Sequence, residues 1–173
     1  APGRATMLVV VTTHAVVDSP TLDKTLRAAK RVTFDRLDYD GCMSTNDQVT
    51  VMASGASSIT PSQQDFTVAL TQICISLATQ LQQDAEGSSH DITITVSGAA
   101  SEEDAEEVGR SVARNNLFKA AIYGNDPNWG RILAAVGVTK AEFDPYNIDV
   151  SINGVSLSRK GQPDQPRDLV DLT

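Results

Sequence analysis

Apolar positions in the first half of the chain form short continuous runs that alternate with helical periodicity. Residues 7–13 are rich in β-branched side chains and apolar on both faces, which predicts a buried strand. Residues 49–53 predict a second strand of the same kind. Between them a helix is predicted over residues 20–35, with Ser19 as N-cap and Pro20 in its first turn, on apolar positions at helical spacing: Leu22, Leu26, Ala29 and Val32.

A longer helix is predicted after a polar loop over residues 38–47. Thr60 is the expected N-cap, with Pro61 at the first helical position and Gln63 at the third. The helix is expected to run to about Asp84 and to end before Gly87, on one apolar face formed by Phe66, Leu70, Ile73, Cys74, Leu77 and Leu81.

The second half of the chain predicts strands and helices in alternation. Strands are expected over residues 92–96, 117–123 and 148–152, and helices over residues 102–114 and from the Asp126-Pro127 cap to Val136. Asn153-Gly154 between two alternating segments predicts a two-residue hairpin.

The pattern therefore predicts a mixed α/β (α+β) chain in three parts. Residues 1–88 carry two strands and two long helices, and residues 89–158 form a small βαβαβ lobe. Residues 159–173 are expected to form a loop that returns toward the first part. The seam between the two larger parts falls at Gly87-Ser88-Ser89.

Composition excludes several classes of protein. With 40% hydrophobic and 21% charged residues, the 173-residue chain is expected to fold as a globular protein. A net charge of −8 argues against a nucleic-acid-binding surface. No segment is long and apolar enough for a signal peptide or a membrane span, so a cytoplasmic location is expected. Two cysteines, Cys42 and Cys74, do not imply a disulfide framework.

The residues alone do not specify an activity. His14 and His90 are isolated in sequence and lack metal-ligand spacing, so no metal site is predicted. Cys42 lies in a polar loop without a histidine beside it, and Cys74 falls on the apolar stripe of the long helix. By composition and periodicity the chain is an α/β domain of unspecified function.

Four short sequence motifs carry more information. In their order and spacing they resemble the second chain of the bifunctional glutamate N-acetyltransferase and ornithine acetyltransferase of arginine biosynthesis. The resemblance covers about residues 2–157 and rests on Ala5-Thr6-Met7, Ser44-Thr45-Asn46-Asp47, Asp84-Ala85-Glu86-Gly87 and Asp126-Pro127-Asn128-Trp129-Gly130-Arg131.

The resemblance implies that Thr6 is the catalytic nucleophile and a substrate-binding residue. Family members cut their own precursor at an Ala-Thr bond, which matches Ala5-Thr6 here. The new α-amino group, with an ordinary pKa of about 7.7–8.0, is partly neutral at working pH and can take the hydroxyl proton. From position alone, Thr6 is a plain residue at the entry to a strand, and only the resemblance assigns it the catalytic role.

The resemblance also implies a substrate-binding role for Glu86, whose carboxylate would accept from the substrate's ammonium groups. Otherwise Glu86 is a carboxylate at a helix end that faces solvent. Residues 126–129 are explained as a helix start with a buried Trp129. Residues 44–47 are a turn-forming cluster that either borders the active site or is purely structural.

The family's mechanism is acetyl transfer from N2-acetyl-L-ornithine to L-glutamate through an acetyl-threonine intermediate. It needs no metal or other cofactor, although some members also accept acetyl-CoA. The fold expected from the resemblance is part of an αββα sandwich of the N-terminal-nucleophile type. The expected partner is the first (α) chain of the same precursor, in a heterotetramer of two α and two β chains.

The match to the family is incomplete. Residues 1–5 correspond to the end of the first chain, and an intact Ala5–Thr6 bond would leave no free amine. The oxyanion-hole Thr-Gly and a substrate-binding Lys lie in the family's first chain, and family members continue beyond Thr173 with further site residues. Two alternatives therefore stay open: a self-processing aminopeptidase or amidase with the same nucleophile, and an unprocessed, non-catalytic binding subunit.

Overall fold

The computed structural model describes residues 7–39, 41–42, 44–85 and 87–172. The chain divides into two compact units, Ala1–Ser88 and Ser89–Thr173. Both contain helices and strands, and the predicted mixed α/β class is confirmed. The predicted return of residues 159–173 toward the first part stays a prediction.

The first unit is a two-stranded parallel sheet with two helices on one face. Strand β1 (Leu8–Thr13) pairs in parallel with β2 (Gln48–Ala53), so that Leu8 lies opposite Gln48. Helices α1 (Ser19–Arg31) and α2 (Gln63–Gln83) pack against each other. Side chains from the inner sheet face, the helices and the segment after α1 form one core: Val9, Val11, Ala29, Phe34, Leu70, Cys74 and Ala78.

Helix α1 begins at a different cap from the predicted one. The N-cap is Asp18, whose Oδ1 accepts from the backbone N–H of Thr21 at 2.8 Å. Ser19, predicted as the cap, is instead the first helical residue, because a carboxylate one position earlier reaches that N–H group. The helix also ends at Arg31, and residues 34–36 form a separate 3₁₀ turn.

Helix α2 confirms the predicted long helix and shifts its start by two residues. Ser62 is the N-cap, and its Oγ accepts from the N–H of Asp65 at 3.1 Å. Thr60 and Pro61, predicted as cap and first helical residue, therefore precede the helix. The end at Gln83, with Asp84 as C-cap, agrees with the prediction.

The second unit contains three helices followed by a three-stranded antiparallel sheet. The helices are α3 (Glu102–Arg114), α4 (Asn116–Tyr123) and α5 (Trp129–Val136). The strands β3 (Val150–Ile152), β4 (Val155–Arg159) and β5 (Gln162–Pro163) pair in sequence order. The buried core of this unit comprises Val112, Phe118, Ile122, Ala135 and Val136.

The predicted strand over residues 117–123 is wrong, because this segment is helix α4. Asn115 caps the helix, with its Oδ1 accepting from the N–H of Phe118 at 2.9 Å. Phe118, Ala121 and Ile122 are buried, and their spacing of three and four residues is helical. In this unit helix α4 therefore stands in place of one predicted strand.

Residues 92–96 lie outside the strands formed by the described part of the chain. Ile94 packs against the core of the second unit, and Val96 lies near Gly109 of α3. No backbone hydrogen bond joins this segment to another described residue. The segment is thus held by apolar side-chain contacts, and it pairs with no strand in the described part of the chain.

The hairpin predicted at Asn153-Gly154 is confirmed. β3 and β4 pair across it, and both turn residues have positive φ, 47° for Asn153 and 84° for Gly154. A two-residue turn with both φ values positive matches the twist of the flanking strands. The strand predicted over residues 148–152 is shorter, since β3 begins only at Val150.

Candidate active site

The predicted site residues Ala5, Thr6 and Glu86 lie outside the described residues. Their sequence neighbours are described. Met7 follows Thr6 directly, and Ala85 and Gly87 flank Glu86. The structure thus describes residues on the C-terminal side of Thr6 and on both sides of Glu86.

Both backbone polar groups of Met7 are held by the residues that lead into β2. The N–H of Met7 donates to Oδ1 of Asp47 at 2.7 Å. The carbonyl of Met7 accepts from the N–H of Gln48 at 2.8 Å. The Met7 side chain packs against the core of the first unit. The residue after Thr6 is thus fixed on both its backbone and its side chain.

The turn over residues 44–47 is stabilised by its own side chains. The N–H of Asn46 donates to Ser44 Oγ at 3.1 Å, and the Thr45 hydroxyl donates to Asn46 Oδ1 at 3.4 Å. The predicted turn-forming character of this cluster is confirmed. Because Asp47 contacts Met7, the structure also places the cluster beside the residue that follows the predicted nucleophile.

An open depression of about 580 Å³ lies at this end of the sheet. It is lined by Leu8, Thr45, Asn46, Asp47 and Gln48. Its wall thus combines the first residue of β1 with the polar turn before β2. Hydroxyl, amide and carboxylate side chains are among its lining residues.

The segment after α2 forms a tight turn. The N–H of Ser88 donates to the carbonyl of Ala85 at 3.2 Å. Gly87, directly before Ser88, has φ of 71°, a conformation that glycine adopts without steric cost. The sequence Asp84-Ala85-Glu86-Gly87 therefore marks the point where the long helix stops.

The motif at residues 126–131 is explained by structure. Asn128, and not the predicted Asp126, caps α5, with its Oδ1 accepting from the N–H of Arg131 at 3.3 Å. Asp126 accepts from Asn128 Nδ2 at 3.0 Å and from Arg167 Nη1 at 3.4 Å. Arg131 donates to the carbonyl of Leu117 at 2.6 Å, which ties α5 to the start of α4. Trp129 is half-buried and not buried as predicted, but these contacts favour the structural interpretation of residues 126–131.

The isolated cysteines and histidines have separate environments. Cys74 is fully buried in the first core, and burial raises the pKa of its thiol, whereas Cys42 is exposed. His90 lies within hydrogen-bond distance of Ser89 Oγ at 2.8 Å and Asn125 Oδ1 at 3.1 Å. The sequence contained no signal for this last contact, which joins residues 35 positions apart.

Two general features concern the described residues only. Among residues 7–39, 41–42, 44–85 and 87–172, no group of three or more His, Cys, Asp or Glu side chains could hold a metal ion. Over the same part of the chain, no helix has the length and apolar character needed to cross a membrane.

The sequence model of the ArgJ family matches residues 1–171. The chain belongs to the ArgJ family. It is 59% identical to the arginine biosynthesis bifunctional protein ArgJ of Streptomyces avermitilis over 172 residues, 99% of this chain and 45% of that protein. The ArgJ of Thermobifida fusca is 57% identical over the same shares. The resemblance found from the sequence motifs is thereby confirmed.

The ArgJ fold is also found by comparison of structures. The crystal structure of the arginine biosynthesis bifunctional protein ArgJ from Bacillus halodurans superposes with a TM-score of 0.85 at 38% identity, covering 91% of this chain and 77% of that chain. The chain spans less than half the length of the two ArgJ relatives named above.

Proposed function

We propose that this chain is the nucleophile-bearing part of an enzyme that transfers the acetyl group of N2-acetyl-L-ornithine to L-glutamate. The observation that supports this most is ArgJ-family membership over residues 1–171, a range that includes the Ala5-Thr6 junction. The fixed backbone of Met7, directly after that junction, adds physical support, because a nucleophile must be held rigidly.

The proposed chemistry begins with cleavage of the Ala5–Thr6 bond, which releases the α-amino group of Thr6. This amine takes the proton from Thr6 Oγ as the oxygen attacks the acetyl carbonyl. The nitrogen–carbonyl bond of N-acetylornithine breaks, and ornithine leaves with the proton. An acetyl ester on Thr6 remains.

In the second half-reaction the amine of glutamate attacks the acetyl ester. The ester bond breaks, Thr6 Oγ takes back a proton, and N-acetylglutamate leaves. Two half-reactions through one covalent intermediate give ping-pong kinetics. Glu86 is proposed to bind the ammonium groups of the amino-acid substrates through its carboxylate. No metal or other cofactor enters these steps, and acetyl-CoA is a second possible acetyl donor by resemblance to some family members.

The exposed outer face of the sheet in the first unit is an argument for a partner chain. Its inner face is covered by the helices, but its outer face carries Leu8, Val10 and Met52, which are 70%, 62% and 50% exposed. Parallel sheets are normally covered on both faces, so this apolar outer face requires a second layer. We propose that the first (α) chain of the same precursor supplies it, in a cytoplasmic heterotetramer of two α and two β chains.

The lengths of the relatives agree with processing into two chains. This chain covers 77% of the Bacillus halodurans chain in its crystal structure but 45% of the Streptomyces avermitilis protein. The part that matches this chain is therefore a much larger share of the crystallised Bacillus halodurans chain than of the Streptomyces avermitilis protein. Cleavage of a precursor near the start of the shared part would produce such a chain.

Substitution of Thr6 in the full-length precursor tests the proposal. Thr6→Ala should abolish both precursor cleavage and acetyl transfer, because one hydroxyl serves both reactions, and Thr6→Ser should retain part of each. Thr79→Ala, which removes an exposed helix hydroxyl bonded to the carbonyl of Ile75, is the matched control. Gel mobility reports cleavage, and mass spectrometry reports acetylation of the chain that begins at Thr6 after incubation with N-acetylornithine alone.

Two outcomes would contradict the proposal. Normal acetyl transfer by folded Thr6→Ala protein would exclude Thr6 as the nucleophile. Peptide or amide hydrolysis by the processed wild-type protein, without acetyl transfer to glutamate, would indicate an aminopeptidase or amidase with the same nucleophile.

A further inference from the structure

Asp47 contacts the peptide group that joins the predicted nucleophile to β1. Its Oδ1 accepts from the N–H of Met7 at 2.7 Å, across 40 residues of sequence. That N–H belongs to the peptide bond between Thr6 and Met7. We infer that Asp47 is a positioning residue for Thr6, an inference that rests on the proposed function.

The contact continues the strand pairing by one residue. The ladder between β1 and β2 starts at Leu8 opposite Gln48, and the carbonyl of Met7 accepts from Gln48 N–H just before it. The Asp47 side chain takes the other backbone group of Met7. The N–H and the carbonyl of Met7, which belong to the peptide groups on either side of its Cα, are thus held from two consecutive residues.

The carboxylate is itself held by a structured turn. Just before it, the backbone N–H of Asn46 donates to Ser44 Oγ and the Thr45 hydroxyl donates to Asn46 Oδ1. Gln48, directly after it, is the first residue of β2. A carboxylate oxygen accepts a shorter and stronger hydrogen bond than a neutral group does. An acceptor so placed can hold the nucleophilic residue with little freedom, although the carboxylate acts on the peptide group and not on the acetyl group.

The expected consequence concerns the rate of chemistry more than substrate binding. Misplacement of a reacting group by about 1 Å can reduce a rate by roughly a hundredfold. Asp47→Ala should therefore lower kcat by about ten- to a hundredfold, with the KM for N-acetylornithine changed by less than about threefold. Asp47→Asn should restore most of kcat, because its amide oxygen can still accept from Met7 N–H.

The test uses full-length protein, with acetyl transfer, precursor cleavage and thermal melting measured for each variant. Asp144→Ala is the matched control, since Asp144 is an exposed aspartate that also accepts one backbone N–H, from Tyr146 at 2.9 Å in the second unit. If Asp47→Ala fails to fold, Asp47→Glu keeps the charge but moves the oxygens by one methylene. It is then expected to show the same loss of kcat.

The outcomes separate this inference from the proposed function. Absence of acetyl transfer in the wild-type protein would contradict the proposed function itself. With an active wild type, unchanged kcat in folded Asp47→Ala, or in Asp47→Glu if the alanine variant unfolds, would overturn the role of Asp47. A rise in KM at constant kcat would also overturn it, because that result indicates substrate binding in place of nucleophile positioning.

Discussion

Val10 and Val11 are neighbours in β1, and their side chains lie on opposite faces of the two-stranded sheet. Val11 is 9% exposed and belongs to the core of the first unit, whereas Val10 is 62% exposed on the outer face. Replacing either valine by aspartate makes the same chemical change on the same strand. The two variants therefore compare the inner and outer faces directly.

The expected cost of Val11→Asp is large. Burial of a valine side chain contributes about 1.5–3 kcal/mol, which is lost. Desolvation of an unpaired carboxylate adds several kcal/mol. The sum approaches the total stability of roughly 5–15 kcal/mol of a typical domain. Val11→Asp is therefore expected to unfold the first unit, whereas Val10→Asp should change the stability of this chain alone by less than about 0.5 kcal/mol.

Urea unfolding of this chain alone, followed by circular dichroism, measures the difference in stability between the Val11→Asp and Val10→Asp variants. In the full-length processed protein, Val10→Asp should instead weaken association of the two chains, because a charge then lies in the proposed interface. Co-purification of the chains and acetyl transfer report that effect. Equal destabilisation of the isolated chain by both variants would refute the assignment of faces. Full activity and intact association in Val10→Asp would refute a covered outer face.

Two further expectations concern single carboxylates. Glu86→Gln should raise the KM for N-acetylornithine about ten- to a hundredfold, since losing a charged contact costs about 1.5–3 kcal/mol, while precursor cleavage stays intact; blocked cleavage or unchanged kinetics would contradict the binding role. Hydrogen bonds from Thr21 lower the pKa of Asp18 below its ordinary value of 3.8. Its contribution to stability is present above that value and is lost as pH falls through the lowered pKa. The difference in melting temperature between wild type and Asp18→Ala should therefore shrink on acidification below pH 3.8, and a constant difference would contradict the cap.

Elements with several consistent local signals could be predicted from the sequence. Helix α2 has a long apolar face and cap-forming residues at its start, and the Asn153-Gly154 turn has two residues suited to positive φ. The sequence does not fix the cap of α1, because Asp18 and Ser19 are both good cap residues and only the backbone geometry separates them.

Residues 117–123 show where local pattern fails. A short apolar run fits a buried strand and a buried helix equally well by periodicity. Asn115, two residues before the run, was the missed signal, since its side chain caps α4. The burial of Phe118 and Ile122 on one helix face then depends on packing within the second unit.

Some features of the candidate site are also indicated by local sequence, and others depend on contacts between distant residues. Thr6 and Glu86 came from family resemblance, and neither composition nor periodicity would have selected them. The turn over residues 44–47 was recognised from its residue types, but its position was open. The bond between Asp47 and Met7 joins residues 40 positions apart, so it follows only from the parallel pairing of β1 with β2.

The segment at residues 92–96 has a consequence for the handling of this polypeptide. Its five residues, Ile-Thr-Ile-Thr-Val, are all β-branched, and its backbone donors and acceptors have no hydrogen bond to another described residue. Unpaired backbone groups beside β-branched side chains offer a site on which a strand from another chain can add. In concentrated solutions of this chain alone, we expect copies to associate through this segment. Production at low concentration, or together with a polypeptide that pairs with this segment, is the physical remedy.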